Sequence, residues 1–179
     1  MSKSILIMDG EAIARALRRI AHEILEHNSE PAKFALVGIQ SRGVELARRL
    51  AGIIGDIEGR RPEVGTIDVA MHRDDLRLRK SLKSVQETRL PLHLENFTVI
   101  LVDDVLYTGR TCRAAMDAIS SFGRPKRIQF AVLLDRGHRE LPIRPDYIGK
   151  NLPTSREELV KVRLENVDSE PDSVRVERP

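Results

Sequence analysis

Three short runs in this chain carry almost no polar residues: FALVGI at Phe34–Ile39, TVILV at Thr98–Val102 and IQFAVLL at Ile128–Leu134. A strand patterned this way must be covered on both faces, which is the condition of a parallel sheet held between helices. Amphipathic segments stand where such a sheet needs them. From about Glu11 to His27, Ile13, Leu17, Ile20 and Ile24 repeat along one helix face, with Asp9 placed as an N-cap and Glu11 in the first turn. A second helix, marked by Val44, Ala47, Leu50 and Ile54, follows the first run. A third, Cys112 to Phe122, follows the second run and is closed by Gly123 with Pro125 beyond it. The expectation is an α/β fold with a mostly parallel sheet flanked by helices, binding ligands beyond the carboxyl ends of its strands. A further strand is predicted near Thr66 to Ala70. Short strand candidates at Val160–Leu164 and Ser173–Val176, in a Pro-punctuated flank of about residues 150–179, predict a small cap. A length of 179 residues fits one domain spanning 1–179.

Between the strand near Thr66 and the run at Thr98 the chain changes character. Residues 71–90 hold six Lys or Arg, three acids and few regularly spaced apolar positions. A polar loop of that length inside a compact domain is more often functional than not. Charge narrows the classes further. The formal net charge is +3, but the five acids and two arginines of Glu165–Pro179 carry −3, leaving +6 on the rest. A modestly basic body suits phosphate-bearing ligands. The lone Cys112 excludes an internal disulfide framework and a cysteine metal cluster. No apolar stretch approaches the roughly 20 residues that span a bilayer, and the apolar run at the N-terminus is too short for a signal peptide, so a soluble, cytoplasmic protein with no membrane partner is expected.

The segment TVILVDDVLYTGRT, Thr98–Thr111, concentrates the chemistry. Its apolar part delivers Asp103 and Asp104 to the carboxyl edge of the sheet, where carboxylates accept hydrogen bonds from vicinal sugar hydroxyls. A polar turn from Asp103 to Thr111 then enters a helix. Backbone N–H groups at a helix start bind anions, and Gly109 removes side-chain crowding from the approach. Thr108, Thr111 and Arg110 add donors. One strand–turn–helix unit can thus hold a ribose and its 5′-phosphate together. A second compact anion site is GIQSRG, Gly38–Gly43, where Ser41 and Arg42 lie between two glycines at the end of the first apolar run. The glycines form neither a dinucleotide-binding nor a Walker pattern.

Thr98–Thr111 resembles the signature with which type I phosphoribosyltransferases bind 5-phosphoribosyl-1-pyrophosphate (PRPP). The resemblance implies that fold, with a small hood and a mobile loop at about residues 71–90. It also implies that Asp103, Asp104, Val105, Leu106, Tyr107, Thr108, Gly109, Arg110 and Thr111 hold the ribose phosphate, and that Ser41 and Arg42 hold pyrophosphate. In His72-Arg73-Asp74-Asp75, Arg73 matches the position that anchors the loop over pyrophosphate. Asp103, Asp104 and Arg73 are then the catalytic group. Mg2+ is expected to arrive with PRPP near Asp103 and Asp104, not in a closed protein site.

The segments Asp135–Arg144 and Asp146–Ser155, taken with the first helix and the PRPP motif, resemble the pyrimidine-operon regulatory (PyrR) family over nearly the whole chain. That family makes UMP from uracil and PRPP. It also binds pyrimidine-operon messenger RNA, causing transcription attenuation when UMP is abundant. On this resemblance Arg136 and Val160 lie on the base side. Arg18, Arg19 and His22 of the first helix, with His138, Arg139, Arg144 and Lys150, are the candidates for gripping an RNA hairpin. So modest a charge would need a homodimer or homotetramer to gather enough basic surface. Two alternatives stand beside this reading: a uracil or purine phosphoribosyltransferase with no RNA role, and a nucleotide sensor that has lost turnover.

Overall fold

The computed structural model describes residues 3–72 and 86–178. Five strands form one parallel sheet in the order β3-β2-β4-β5-β6: β2 (Phe34–Ile39), β3 (Glu63–Ile67), β4 (Thr98–Leu106), β5 (Arg127–Asp135) and β6 (Tyr147–Asn151). Helices α1 (Gly10–His27) and α2 (Arg42–Glu58) cover one face, and α3 (Arg110–Ser120) covers the other. The two-residue period of the strands sorts their side chains accordingly. Ile100 and Val102 join the α1–α2 core with Leu36, Leu50 and Ile54. Val99 and Leu101 join the α3 core with Val37, Ala115 and Ile119.

A second sheet of three antiparallel strands, in the order β1-β8-β7, forms the hood: β1 (Lys3–Asp9), β8 (Ser173–Arg178) and β7 (Leu159–Arg163). The short helix α4 (Glu165–Asp168) joins the last two of these in sequence. Val162, Leu164, Val174 and Met8 carry the hood into the α1–α2 core. The N-terminal strand is its unforeseen member. Its run of Ile5, Leu6, Ile7 and Met8 becomes a strand only because β8, more than 160 positions away in sequence, lies alongside.

Most expected elements stand where the patterns place them. Asp9 caps α1, accepting a hydrogen bond from Ala12 N at 2.8 Å. Three boundaries need correction. The strand expected near Thr66–Ala70 runs instead from Glu63 to Ile67, and Ala70 lies in a 3-10 turn, because Gly65 and Thr66 pair with Val37 and Gly38. The third helix begins at Arg110 and ends at Ser120, two residues ahead of the expected span. The turn expected from Asp103 is strand as far as Leu106, since β4 keeps its ladder with β5 through Leu106↔Asp135. The strand β6 was not foreseen either.

The ends of the long loop that lie within the described residues are stapled together. Thr66 and Arg89 exchange backbone hydrogen bonds of 2.7 and 2.8 Å, and Asp68 accepts from Ala70 N at 2.9 Å and from Gln86 N at 2.5 Å. Arg73, Asp74 and Asp75 lie outside the described residues.

Candidate functional site

The site is built at the carboxyl ends of β2, β4 and β5. Asp103 and Asp104 end the buried part of β4, and each carboxylate steadies the backbone after it: Asp103 Oδ1 accepts from Asp104 N at 2.9 Å and Asp104 Oδ1 from Val105 N at 2.8 Å. Asp103 is buried and Asp104 half-buried. Val105 packs against the core, Leu106 is buried in it, and the chain then turns through Tyr107 and Thr108 to Gly109, whose φ of 94° favours glycine. Thr108 Oγ1 accepts from Arg110 N at 3.3 Å, and Thr111 lies in the first turn of α3. A helix start leaves N–H groups without partners of their own helix, so this turn is suited to hold an anion.

Gly43 brings the second turn against the end of β4, and Gly38 lets that turn fold tightly onto the start of α2. A Cβ on Gly43 would lie 2.3 Å from Val102 O, and one on Gly38 would lie 2.3 Å from Val44 Cα. The turn Gln40–Ser41, joined by a cis peptide, therefore lies flush with the end of β4. Ser41 is exposed. Arg42 opens α2 and reaches sideways to the hood, where Asp168 accepts from its Nε at 3.1 Å and its Nη2 at 2.7 Å. The bond with Asp168, reinforced by nearby Asp104, raises the Arg42 pKa further and keeps it charged. The same bond, opposed by burial and helped by the backbone N–H of Leu164, holds Asp168 down at about 2. A neighbouring pair ties Arg49 to Glu45 at 2.8 Å and to Asp172 at 3.1 Å, and Asn166 Nδ2 donates to Glu45 at 2.8 Å.

The segment after β5 braces the Tyr107–Gly109 turn from the other side. Glu140 N and Leu141 N donate to Thr108 O at 3.0 and 3.2 Å. Arg110 Nε reaches Glu140 at 3.0 Å, and Leu141 and Ile143 pack where a Gly109 side chain would stand. Arg139 donates to Ile143 O at 2.9 Å, Tyr107 O at 3.1 Å and Asp135 at 2.5 Å. The buried Arg136 guanidinium lies 4.2 Å from the centre of the Tyr107 ring and donates to Thr154 Oγ1, Ser155 O and Glu158 O at 2.8–2.9 Å. His138 meets the Tyr107 ring edge-on at 5.6 Å and its Nε2 lies 2.5 Å from Thr154 O. Arg136 and His138 thus link Tyr107 to the strand-to-hood connection. Val160, on β7, packs against the α1–α2 core.

The other basic candidates divide into anchored and solvent-facing. Arg19 donates to Ile148 O at 3.0 Å and also to Gly149 O, fixing α1 to β6. Arg18, His22, Arg144 and Lys150 are exposed. Arg15, Arg19 and Lys150 line one shallow depression floored by Ile7, Met8, Ala12 and Ala16. Cys112, buried under α3 near Asp103, has its thiol pushed up to about 12, chiefly by burial, and is inert as a nucleophile.

Residues 6–165 match the phosphoribosyl transferase domain family. The bifunctional protein PyrR of Pelotomaculum thermopropionicum is 57% identical over 164 residues, covering 92% of this chain and 91% of that one. Its counterpart from Thermus thermophilus is 54% identical over 164 residues, with the same coverage. The chain belongs to the PyrR family. Among solved structures, the hypoxanthine phosphoribosyltransferase of Trypanosoma cruzi in complex with IMP superposes with a TM-score of 0.74 at 19% identity, covering 99% of this chain and 95% of that one. At that identity the likeness speaks for the fold alone, so membership of the PyrR family, and not this neighbour, bears on which base is used. The residues that motif reasoning missed are the partners: Asp168 for Arg42, Asp172 for Arg49 and Glu140 for Arg110. Their only trace in the sequence is the cluster of acids after Glu165 and the acid following Arg139.

Proposed function

We propose that this protein transfers the 5-phosphoribosyl group of PRPP to uracil, giving UMP and pyrophosphate, and that it binds pyrimidine-operon messenger RNA in a UMP-responsive manner to attenuate transcription. The observation that carries the reading is the juxtaposition at the end of β4. An acid pair on β4 leads into an anion-binding turn, and a second anion turn is pressed against the strand at Val102 and Asp103 through Gly43. That spacing suits a ligand with a phosphate at one end, a diphosphate at the other and a diol between them.

In the reaction the bond from the ribose anomeric carbon to the pyrophosphate oxygen breaks, a uracil ring nitrogen bonds to that carbon, and the proton of that nitrogen leaves with the pyrophosphate. Positive charge grows on the ribose while negative charge leaves with pyrophosphate. Asp103 and Asp104 orient the ribose hydroxyls and lie on the side where positive charge develops. Arg42, with the Gln40–Gly43 backbone, faces the leaving group, and Arg73 is assigned to the same diphosphate. Catalysis of this kind depends on positioning and electrostatics. Among the described residues no group of three or more His, Cys, Asp or Glu side chains is arranged to hold a metal ion. Two adjacent carboxylates suit a Mg2+ ion that keeps most of its ligands from substrate and water. It would offset charge on the diphosphate.

For RNA, the reading rests on family membership and on the exposed side chains of Arg18, His22, Arg144 and Lys150. A homodimer or homotetramer would gather such patches on one surface. The test has two arms. The first follows UMP formation from uracil and PRPP, with hypoxanthine as the competing base; preference for hypoxanthine would replace the uracil assignment by the purine one. The second measures binding of a pyrimidine-leader hairpin, with and without UMP, against a scrambled hairpin. Equal binding of both hairpins would leave an enzyme without the regulatory role.

A further inference from the structure

The pyrophosphate assignment of the Gln40–Gly43 turn leaves open what aims its one guanidinium. Arginine carries five N–H donors in a planar fork, so a carboxylate that takes Nε and one terminal nitrogen fixes the plane and direction of the whole group. Asp168 does this to Arg42, at 3.1 and 2.7 Å. The remaining donors of Arg42 have no protein partner among the described residues, and its side chain keeps 29% of its exposure beside Asp104. Asp168 is itself held from three sides. Besides Arg42 it accepts from Leu164 N at 2.8 Å and Arg163 Nη1 at 3.3 Å, and its side chain is only 9% exposed. A carboxylate so fixed does not follow a moving arginine; it sets where the arginine points.

We infer that Asp168, on the hood helix, is a positioning residue for phosphoribosyl transfer: it clamps one edge of Arg42 so that the opposite edge meets the diphosphate of PRPP. The inference rests on the reading of the Gln40–Gly43 turn as the pyrophosphate site. It makes the hood part of the leaving-group machinery as well as a cover for the base. The plain alternative is a latch that only fastens hood to core. The structure supplies a control for that, because Asp172 fastens the same two elements through Arg49 without touching the turn.

The experiment compares Asp168→Asn, Asp172→Asn, Arg42→Gln and the Asp168→Asn/Arg42→Gln double variant. Steady-state constants for PRPP and uracil, inhibition by pyrophosphate and the melting temperature are measured for each. Loss of a charged hydrogen-bond partner should raise the PRPP KM and the pyrophosphate inhibition constant about tenfold in Asp168→Asn. The uracil KM and kcat should stay within about twofold, as expected when ligand binding alone is weakened. Asp172→Asn should lower the melting temperature yet leave both diphosphate constants near wild type, and the double variant should bind PRPP no more weakly than Arg42→Gln. Equal effects of Asp168→Asn and Asp172→Asn on PRPP, additive losses in the double variant, or tighter PRPP binding by Asp168→Asn would each overturn the inference. If Arg42→Gln weakens pyrophosphate while Asp168→Asn does not, the proposed function stands and only the role of Asp168 falls. If Arg42→Gln changes neither constant, the pyrophosphate assignment falls first and the inference with it.

Discussion

At the end of β4 the carboxylates of Asp103 and Asp104 are both tied to backbone. Each uses one oxygen on the backbone N–H that follows it, so Asn at both positions can keep the shape and those bonds while losing the charge. The Asp103→Asn/Asp104→Asn variant should therefore melt within a few degrees of wild type and lose about a hundredfold or more in UMP formation, the scale of preorganised electrostatic stabilisation. Near-normal turnover would remove the pair from the mechanism. Among the basic residues, structure separates what sequence could only group. Arg139 is committed to Tyr107 O, Ile143 O and Asp135, so Arg139→Ala should impair UMP synthesis as well as any RNA binding. Arg144 and Lys150 face solvent, so their replacement by Ala should leave UMP synthesis intact and flatten the salt dependence of RNA binding by roughly 0.7–0.9 log units per decade for each RNA phosphate no longer neutralised. An unchanged salt slope would place the RNA surface elsewhere. Residue types thus pointed to the acid pair and the anion turns, because their chemistry is local. They did not point to Asp168 or Asp172, whose meaning lies in arginines more than 120 positions away.

At the scale of elements, the site depends on how closely α2 approaches β4. Gly43 sets that distance, with Val102 O at 2.3 Å from where its Cβ would be and Asp103 Cα at 3.3 Å. Neither neighbour is a flexible side-chain end, so the strain of Gly43→Ala cannot be relieved by a rotamer change. The variant should lose about 2–3 kcal/mol of stability, or about 5–10 °C in Tm, and its residual activity should show a raised PRPP KM. A protein with wild-type melting and kinetics would show that α2 need not approach β4 this closely. The central strands and first two helices were legible because their apolar periods are long and strong. The shift of β3 and the extension of β4 were not, since backbone pairing with a neighbouring strand decides where a ladder stops. β6 was missed because Tyr147–Asn151 is short and ends in Lys and Asn, and becomes a strand only beside β5.

For the molecule as a whole, the decisive joint is between hood and core. Asp168 and Asp172 both have carboxyl pKa values lowered, Asp168 to about 2, by the hydrogen bonds they accept from Arg42 and Arg49. A carboxylate whose folded pKa lies below its unfolded value of about 3.9 contributes stability that is fully present above the unfolded value and is lost as pH falls through the folded one. Tm should therefore fall between about pH 4 and pH 2, and Asp168→Asn should flatten that fall while costing stability near neutrality. An identical acid profile in the variant would show that the joint carries no such dependence. The acidic C-terminal stretch, which in sequence was a flank expected to form a small cap and carrying −3, is the source of these clamps. The sequence by itself determined the α/β class, the acid pair and turn carried at the end of β4, and the family, because apolar periodicity and a contiguous motif are local properties of the chain. The tertiary structure alone decided that β1 completes the hood, that Arg19 and Arg139 are braces, and that the hood holds the arginine assigned to pyrophosphate. Each depends on hydrogen bonds or strand pairings between distant segments, and no local pattern encodes which distant partner a strand edge or a charged side chain will meet.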